Sequence, residues 1–201
     1  MRGIMTITDR ESASGRAPRR MLPEGTLQAA QPGLSLQRCR LIAQLIDRAA
    51  SHRLTLLCGP TGSGKTTACS TWVNAAAMGR RAVWVALESE ADQVWLWARV
   101  CSGLRTVAAP EVIYALEDES PSGFPLRLAE VASLFSEPVV VVIDNAHLVT
   151  DEVVLAGLGL LIRHAPASLR LVLSGRWPPR LDLARLRAAG ELAEIGAADI
   201  F

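Results

Sequence analysis

One lysine in this chain has the right context to hold a phosphate group. Lys65 is the only lysine among the 21 lysine and arginine residues of the 201-residue sequence. It lies in the segment Gly-Pro-Thr-Gly-Ser-Gly-Lys-Thr at residues 59–66, which fits the pattern G-x-x-x-x-G-K-S/T at every fixed position. A lysine ammonium is a compact point charge, whereas an arginine guanidinium is planar and prefers bidentate partners. The pattern therefore predicts a lysine beside the β- and γ-phosphates of a nucleotide.

This segment, residues 59–66, is called the phosphate loop below. Its glycines permit backbone conformations and close approaches that a Cβ atom would block. Backbone amides at the start of the following helix, together with the helix dipole, favour anionic oxygens. The hydroxyl of Thr66 is expected to coordinate Mg²⁺. The predicted nucleotide-binding residues are Gly59, Pro60, Thr61, Gly62, Ser63, Gly64, Lys65, Thr66 and Thr67.

An acidic residue at the end of an apolar run is the second candidate for chemistry. Asp144 follows five consecutive β-branched residues, 139–143, which are typical of a parallel strand buried on both faces. Ligands of open α/β sheets bind at the carboxyl ends of the strands. An isolated aspartate at a strand end is more often a cap or turn former. With a phosphate loop upstream, we predict instead that Asp144 and Thr66 are the Mg²⁺ ligands, directly or through water.

Two more residues are catalytic candidates together with Asp144. Asn145 could orient an attacking water but could not take its proton. Glu88 ends a different predicted strand, several strand spacings from the loop, so we do not assign it as the base. Slow or absent hydrolysis with intact nucleotide binding is therefore expected.

Arg176 would face the γ-phosphate if its strand lies between those of the loop and Asp144; the alternative is an exposed loop arginine. His147 is given no catalytic role.

Strands and helices alternate along the chain. The predicted strands lie at residues 54–58, 82–87, 139–143, 169–174 and 191–195, with helical patterns between them. This alternation predicts an α/β fold of the P-loop NTPase class, in which a parallel five-stranded sheet has helices on both faces and right-handed crossovers. The expected strand order is 5-1-4-3-2.

Composition narrows the other possibilities. The formal net charge is +1 and no basic face is evident after residue 33, which argues against a nucleic-acid surface. Four cysteines show no C-x-x-C pairing, as expected for thiols of a reducing compartment. No apolar run is long enough to span a bilayer, so no membrane association and a cytoplasmic location are expected. Residues 1–33 lack hydrophobic periodicity and are predicted to be a disordered tail before a nucleotide-binding domain at 34–201.

Several motifs, taken in order, resemble one family. They are similar to the nucleotide-binding domain of large LuxR-family, MalT-like transcriptional regulators, which belong to the STAND class of signalling ATPases. The stretches that carry this resemblance are residues 59–67, 84–88, 141–148, 171–176, 183–192 and 197–199. The resemblance covers roughly residues 35 to 201.

The resemblance implies a switch, in which ADP holds the protein closed while ATP and an inducer favour an open, self-associating form. It makes residues 59–66 the Walker A motif, Asp144 the Walker B acid and Arg176 a sensor arginine, and it suggests Arg38 or Arg40 as an adenine-side arginine. Asn145 departs from the family, which usually has a second acid there. The family's lid, sensor repeats and DNA-binding helix-turn-helix are expected to be absent from these 201 residues, so DNA would be contacted only through another domain.

Two other interpretations remain open. One is an active P-loop ATPase of another branch, such as an AAA-like motor or a helicase loader. The other is a degenerate scaffold that binds partners and no nucleotide.

Overall fold

The computed structural model describes residues 32–76 and 81–200. Five strands form one sheet in which every pairing is parallel, in the order β2-β3-β4-β1-β5. Read from the other edge, this is the order 5-1-4-3-2, so the predicted topology is confirmed. The prediction of a tail at residues 1–33 lies almost entirely outside the described residues.

The strands are short and apolar, and their bounds follow the buried runs in the sequence. They are β1 Leu54–Cys58, β2 Arg81–Ala86, β3 Val139–Asp144, β4 Leu169–Gly175 and β5 Leu192–Ile195. All six residues of β3 are buried, as expected for a strand covered on both faces. Strands β3, β4 and β1 form the centre of the sheet, with β2 and β5 at its edges.

Helices connect the strands and cover both faces of the sheet. They are α1 Pro32–Ser51, α2 Lys65–Ala76, α3 Gln93–Leu104, α4 Pro110–Glu117, α5 Phe124–Val131, α6 Glu152–His164, α7 Ala184–Ala188 and α8 Ala197–Ile200. Single 3₁₀ turns lie at Ala132–Leu134 and Ala146–Leu148. Across residues 32–76 and 81–200, no helix combines the length and apolarity needed to cross a membrane.

Local signals explain where two of the helices begin. Helix α4 starts at Pro110, where a proline loses no helical hydrogen bond. Helix α6 starts after Asp151, whose carboxylate accepts hydrogen bonds from the amides of Val153 at 2.7 Å and Val154 at 3.2 Å. Helix α5 begins at Phe124 and is followed directly by the 3₁₀ turn at Ala132–Leu134.

The sheet separates two apolar cores. Helices α1 and α2 pack on one face, where Leu45, Leu57 and Trp72 are almost completely buried. Helices α3 to α6 contribute to the larger core on the other face. Because all five strands are parallel, their carboxyl ends lie together at one side of the sheet, called the carboxyl edge. The phosphate loop follows β1 there, and Asp144 is the last residue of β3.

Candidate nucleotide-binding site

The phosphate loop connects β1 directly to α2, and two of its glycines have left-handed backbones. Gly62 has φ of +82° and Gly64 has φ of +83°. A Cβ atom at either position would meet nothing within 4 Å, so glycine is needed for the backbone conformation and not for space. The amide of Gly59 donates to the carbonyl of Gly175 at 3.2 Å, which ties the start of the loop to the end of β4.

Lys65 is held against its own loop by three hydrogen bonds. Its ammonium donates to the carbonyls of Gly59 at 2.7 Å and Pro60 at 2.8 Å, and to the hydroxyl of Ser63 at 3.1 Å. These contacts use all three N–H donors of the side chain. Burial lowers the pKa of Lys65, while the negative charge of Asp144 acts in the opposite direction. The positive charge is therefore fixed inside the loop, and a phosphate oxygen would share or replace one of these acceptors.

Asp144 lies at the end of β3 with one oxygen left over. Asp144 is only 2% exposed, and the Oδ2 atom of its carboxylate has no hydrogen-bond partner among the described residues. A buried carboxylate normally requires a cation or hydrogen-bond donors. Strand β4 alone separates β3 from β1, so Asp144 is one strand removed from the strand that leads into the loop.

These features fit a nucleotide with its Mg²⁺ ion. The two left-handed glycines shape a loop whose amides can surround phosphate oxygens, and Lys65 supplies a buried positive charge. The buried carboxylate of Asp144, which has one unpartnered oxygen, is the kind of hard, anionic ligand that Mg²⁺ prefers. Thr66, the second residue of α2, is exposed beside Lys65. When bound, Mg²⁺ neutralises phosphate charge; the residues that would hold it here are Asp144 and Thr66.

Asn145 is directed away from the phosphate loop. Its backbone is left-handed, with φ of 58° and ψ of 33°, a conformation that asparagine tolerates better than most residues. Its side-chain amide donates to the carbonyl of Leu87 at 3.0 Å, just beyond β2. Strand β2 flanks β3 on the side opposite β4 and β1. Glu88 is exposed at the same edge strand, with β3 and β4 between it and the loop strand.

Arg176 immediately follows β4, the strand between those of the loop and of Asp144. Its side chain is exposed, and its positive charge lowers the pKa of both Lys65 and His147 after the larger effect of burial. The structure thus brings Arg176 into the electrostatic environment of the loop. Arg40 is exposed on α1, and the side chain of Arg38 lies outside the described part of the chain.

His147 lies close to the end of β4, a position that the sequence alone did not indicate. Its ring packs edge-on against Trp177 with centroids 5.2 Å apart. Gly175 allows the approach, because a Cβ there would lie 3.1 Å from the backbone nitrogen of His147. Burial, and then the positive charges of Arg176 and Lys65, lower the pKa of His147.

Ser174 is a residue that sequence reasoning missed. It is completely buried near the end of β4, and its hydroxyl has no hydrogen-bond partner among the described residues. A polar residue that interrupts an apolar strand one strand away from Asp144 was the available signal. Within residues 32–76 and 81–200, no group of three or more His, Cys, Asp or Glu residues forms a metal site of its own.

The strand order, the loop and the buried acid define a P-loop nucleotide-binding fold, with the nucleotide and Mg²⁺ binding that this fold implies in general. The chain belongs to the AAA domain family, which it matches over residues 46–178.

Comparisons with individual proteins agree with this assignment. The chain is 32% identical over 167 residues to the HTH-type transcriptional regulator MalT of Serratia proteamaculans (strain 568). That match covers 79% of this chain and 18% of the regulator, so the chain spans about a fifth of its relative's length.

Two solved structures share the fold at low sequence identity. Cdc6p from Pyrobaculum aerophilum superimposes with a TM-score of 0.57 at 18% identity, covering 87% of this chain and 48% of that one. A chain in the structure of Drosophila ORC bound to AT-rich DNA and Cdc6 gives a TM-score of 0.54 at 11% identity, covering 81% and 54%. At these identities the similarity shows the fold alone.

Proposed function

We propose that this chain is the ATP- or ADP-binding switch domain of a LuxR-type, MalT-like transcriptional regulator, with weak or no hydrolysis of its nucleotide. The proposal rests on a difference within one site, between its phosphate-binding side and the residues that could assist hydrolysis. Lys65 is fixed within a complete phosphate loop, whereas Asn145, beside the acid Asp144, is bonded to Leu87 on the far side.

Nucleotide binding is supported by groups that are already in place. The loop amides and Lys65 would contact the phosphates, while Asp144 and Thr66 would hold Mg²⁺. Gly62 and Gly64 have the left-handed backbones that shape this loop, which supports a phosphate site formed in advance of binding.

Hydrolysis has weaker support. A general base must come within hydrogen-bond reach of the attacking water. Asn145 cannot accept a proton from water in this role, and its amide is bonded to Leu87. Glu88 follows the edge strand β2, away from the loop strand. A nucleotide bound at this site would consequently persist.

A switch needs no fast chemistry. It requires only that two conformations differ in their affinity for ATP and ADP, by a coupling free energy of about 1–3 kcal/mol. Arg176, positioned beside the loop at the end of β4, is the residue we propose to distinguish the two nucleotides by contacting a γ-phosphate.

The regulatory role rests on the similarity to MalT. By that similarity we propose that the ATP form associates with itself, that DNA is contacted through a domain other than this one, and that the protein acts in the cytoplasm.

A single-turnover experiment tests this proposal. The chain is mixed in excess with ATP labelled at the γ-phosphate and Mg²⁺, and free phosphate is followed over time. We expect the ATP to be bound and to remain intact far longer than the seconds or less typical of phosphoryl-transfer enzymes, whose kcat values are about 1–100 s⁻¹. Rapid phosphate release within this single turnover would instead favour an active ATPase of another branch. Lys65→Ala is the matched control, and equal binding of ATP by both proteins would favour a scaffold that does not use the loop.

A further inference from the structure

Ser174 is a fully buried hydroxyl whose position calls for an explanation. The residue is 0% exposed, and its Oγ has no hydrogen-bond partner among residues 32–76 and 81–200. Buried polar groups in proteins are nearly always hydrogen-bonded, to protein or to ordered water or an ion. An unpartnered hydroxyl at the ligand-binding edge of the sheet therefore points to a missing partner.

Strand register places Ser174 level with Asp144. Ile143 of β3 is paired with Leu173 of β4, so the next residues along the two strands are neighbours. Val142 and Val172, two residues earlier on each strand, both belong to the core under α1 and α2. Because side chains alternate along a strand, Asp144 and Ser174 face the same side as those valines.

Helix α2 covers this side of the sheet. The pKa of its residue Cys69 is affected by both Asp144 and Ser174. Burial raises the pKa of Cys69 to about 12, and the charge of Asp144 adds to the rise. A hydrogen-bonding interaction with the Ser174 side chain and the charge of Lys65 oppose it. The Ser174 hydroxyl and the Cys69 thiol are therefore neighbours, although the pair falls short of the geometry of a full hydrogen bond. Ser174, Asp144 and Lys65 are thus all close enough to Cys69 to affect the pKa of its thiol.

The two unpartnered oxygens have complementary chemistry. A serine hydroxyl can donate one hydrogen bond and accept others, whereas an ionised carboxylate only accepts. Neighbouring strands lie about 4.8 Å apart. The two oxygens do not hydrogen-bond to each other in this structure, so a water between them would satisfy both. Mg²⁺ sites of this kind keep several waters, so a water is expected at this edge.

We propose that Ser174 is a positioning residue for Mg²⁺: its hydroxyl and Oδ2 of Asp144 hold one water molecule between them at the edge where the ion binds. This inference rests on the proposed nucleotide-binding function. The water fixes the orientation of the Asp144 carboxylate, so the loss of the Ser174 hydroxyl weakens Mg²⁺ binding without changing contacts between the loop and the phosphates.

The test measures the Mg²⁺ concentration that half-maximally strengthens ADP binding to the full chain, by calorimetric titration with and without Mg²⁺. We expect Ser174→Ala to raise that concentration by about tenfold or more, in line with the loss of other groups that orient metal ligands. The affinity for ADP without Mg²⁺ should be unchanged. Ser174→Thr retains the hydroxyl and should behave as the wild type. Ser174→Gly, which lacks the hydroxyl and adds no thiol beside Cys69, repeats the test.

Thr55→Val is the matched control. Thr55 is another fully buried hydroxyl without a partner among the described residues, and it lies on β1 level with Val172, farther from the carboxyl edge. Its replacement should leave the Mg²⁺ requirement unchanged. A wild-type Mg²⁺ requirement in folded Ser174→Ala and Ser174→Gly would overturn this proposal alone, as would an equal loss of affinity with and without Mg²⁺. If the wild type bound no ADP, the proposed function and this inference would both fail.

Discussion

The loop after β1 and the turn after β3 both lie at the carboxyl ends of the strands, but their side chains are very different. Lys65 has all three of its donors engaged within the loop. In contrast, Asp144 has an unpartnered oxygen and Asn145 is bonded to the opposite neighbour of β3. In the function proposed above, the loop would bind phosphate, whereas the turn would supply a metal ligand but no base. This difference supports the proposal of a site that retains its nucleotide.

Asn145 has a structural reason to be an amide. Both asparagine and aspartate tolerate the left-handed conformation at this position. Only the amide can donate to the carbonyl of Leu87, since an ionised carboxylate is an acceptor alone. The amide of Leu87 in turn donates to the carbonyl of Asp144 at 3.1 Å. The side chain therefore secures the ends of β2 and β3 to each other.

The largest effect is expected at the loop. Lys65→Ala removes the buried charge that faces the phosphates, and we expect ATP and ADP to bind about 10- to 100-fold more weakly, because a hydrogen bond to a charged group contributes about 1.5–3 kcal/mol. Titration with a fluorescent nucleotide measures the change. Arg163→Ala, which removes an exposed positive charge at the end of α6, is the matched control and should bind as the wild type does. Unchanged affinity in Lys65→Ala would remove the contrast between the two regions.

A smaller effect is expected at the turn. Asn145→Asp loses the donor to Leu87 and places a carboxylate beside a carbonyl oxygen, so the free energy of unfolding should fall by about 1–3 kcal/mol near neutral pH. Urea unfolding measures this difference. Asn74→Asp, at an exposed position on α2, is the control and should change stability little. If Asn145→Asp were as stable as the wild type and hydrolysed ATP faster, the side chain at 145 would be free to serve the site, contrary to the orientation described above.

The sequence was sufficient for the sheet and the loop but not for the turn. Buried β-branched runs such as residues 139–143 have few alternatives to a central parallel strand, and the loop pattern fixes both its own conformation and the start of α2. The orientation of Asn145 depends on Leu87, which lies 58 residues earlier in the chain. The alignment of Ser174 with Asp144 depends on strand register. Neither relation can be obtained from local patterns.

Helix bounds were less predictable for a similar reason. Pro125 lies in the first turn of α5, where its missing amide has no cost. Helix α5 packs against α6, a contact that local sequence patterns do not show.

The most direct test of the account is a calorimetric titration of ADP into the wild type and Asp144→Asn, each with and without Mg²⁺. We predict that the wild type binds ADP and binds it more tightly with Mg²⁺, whereas Asp144→Asn binds equally in both conditions, at the affinity that the wild type shows without the ion. Asp47→Asn, an exposed change on α1, should match the wild type. No ADP binding by the wild type, or the same gain from Mg²⁺ in Asp144→Asn, would contradict a site in which the loop holds phosphate and Asp144 holds the metal.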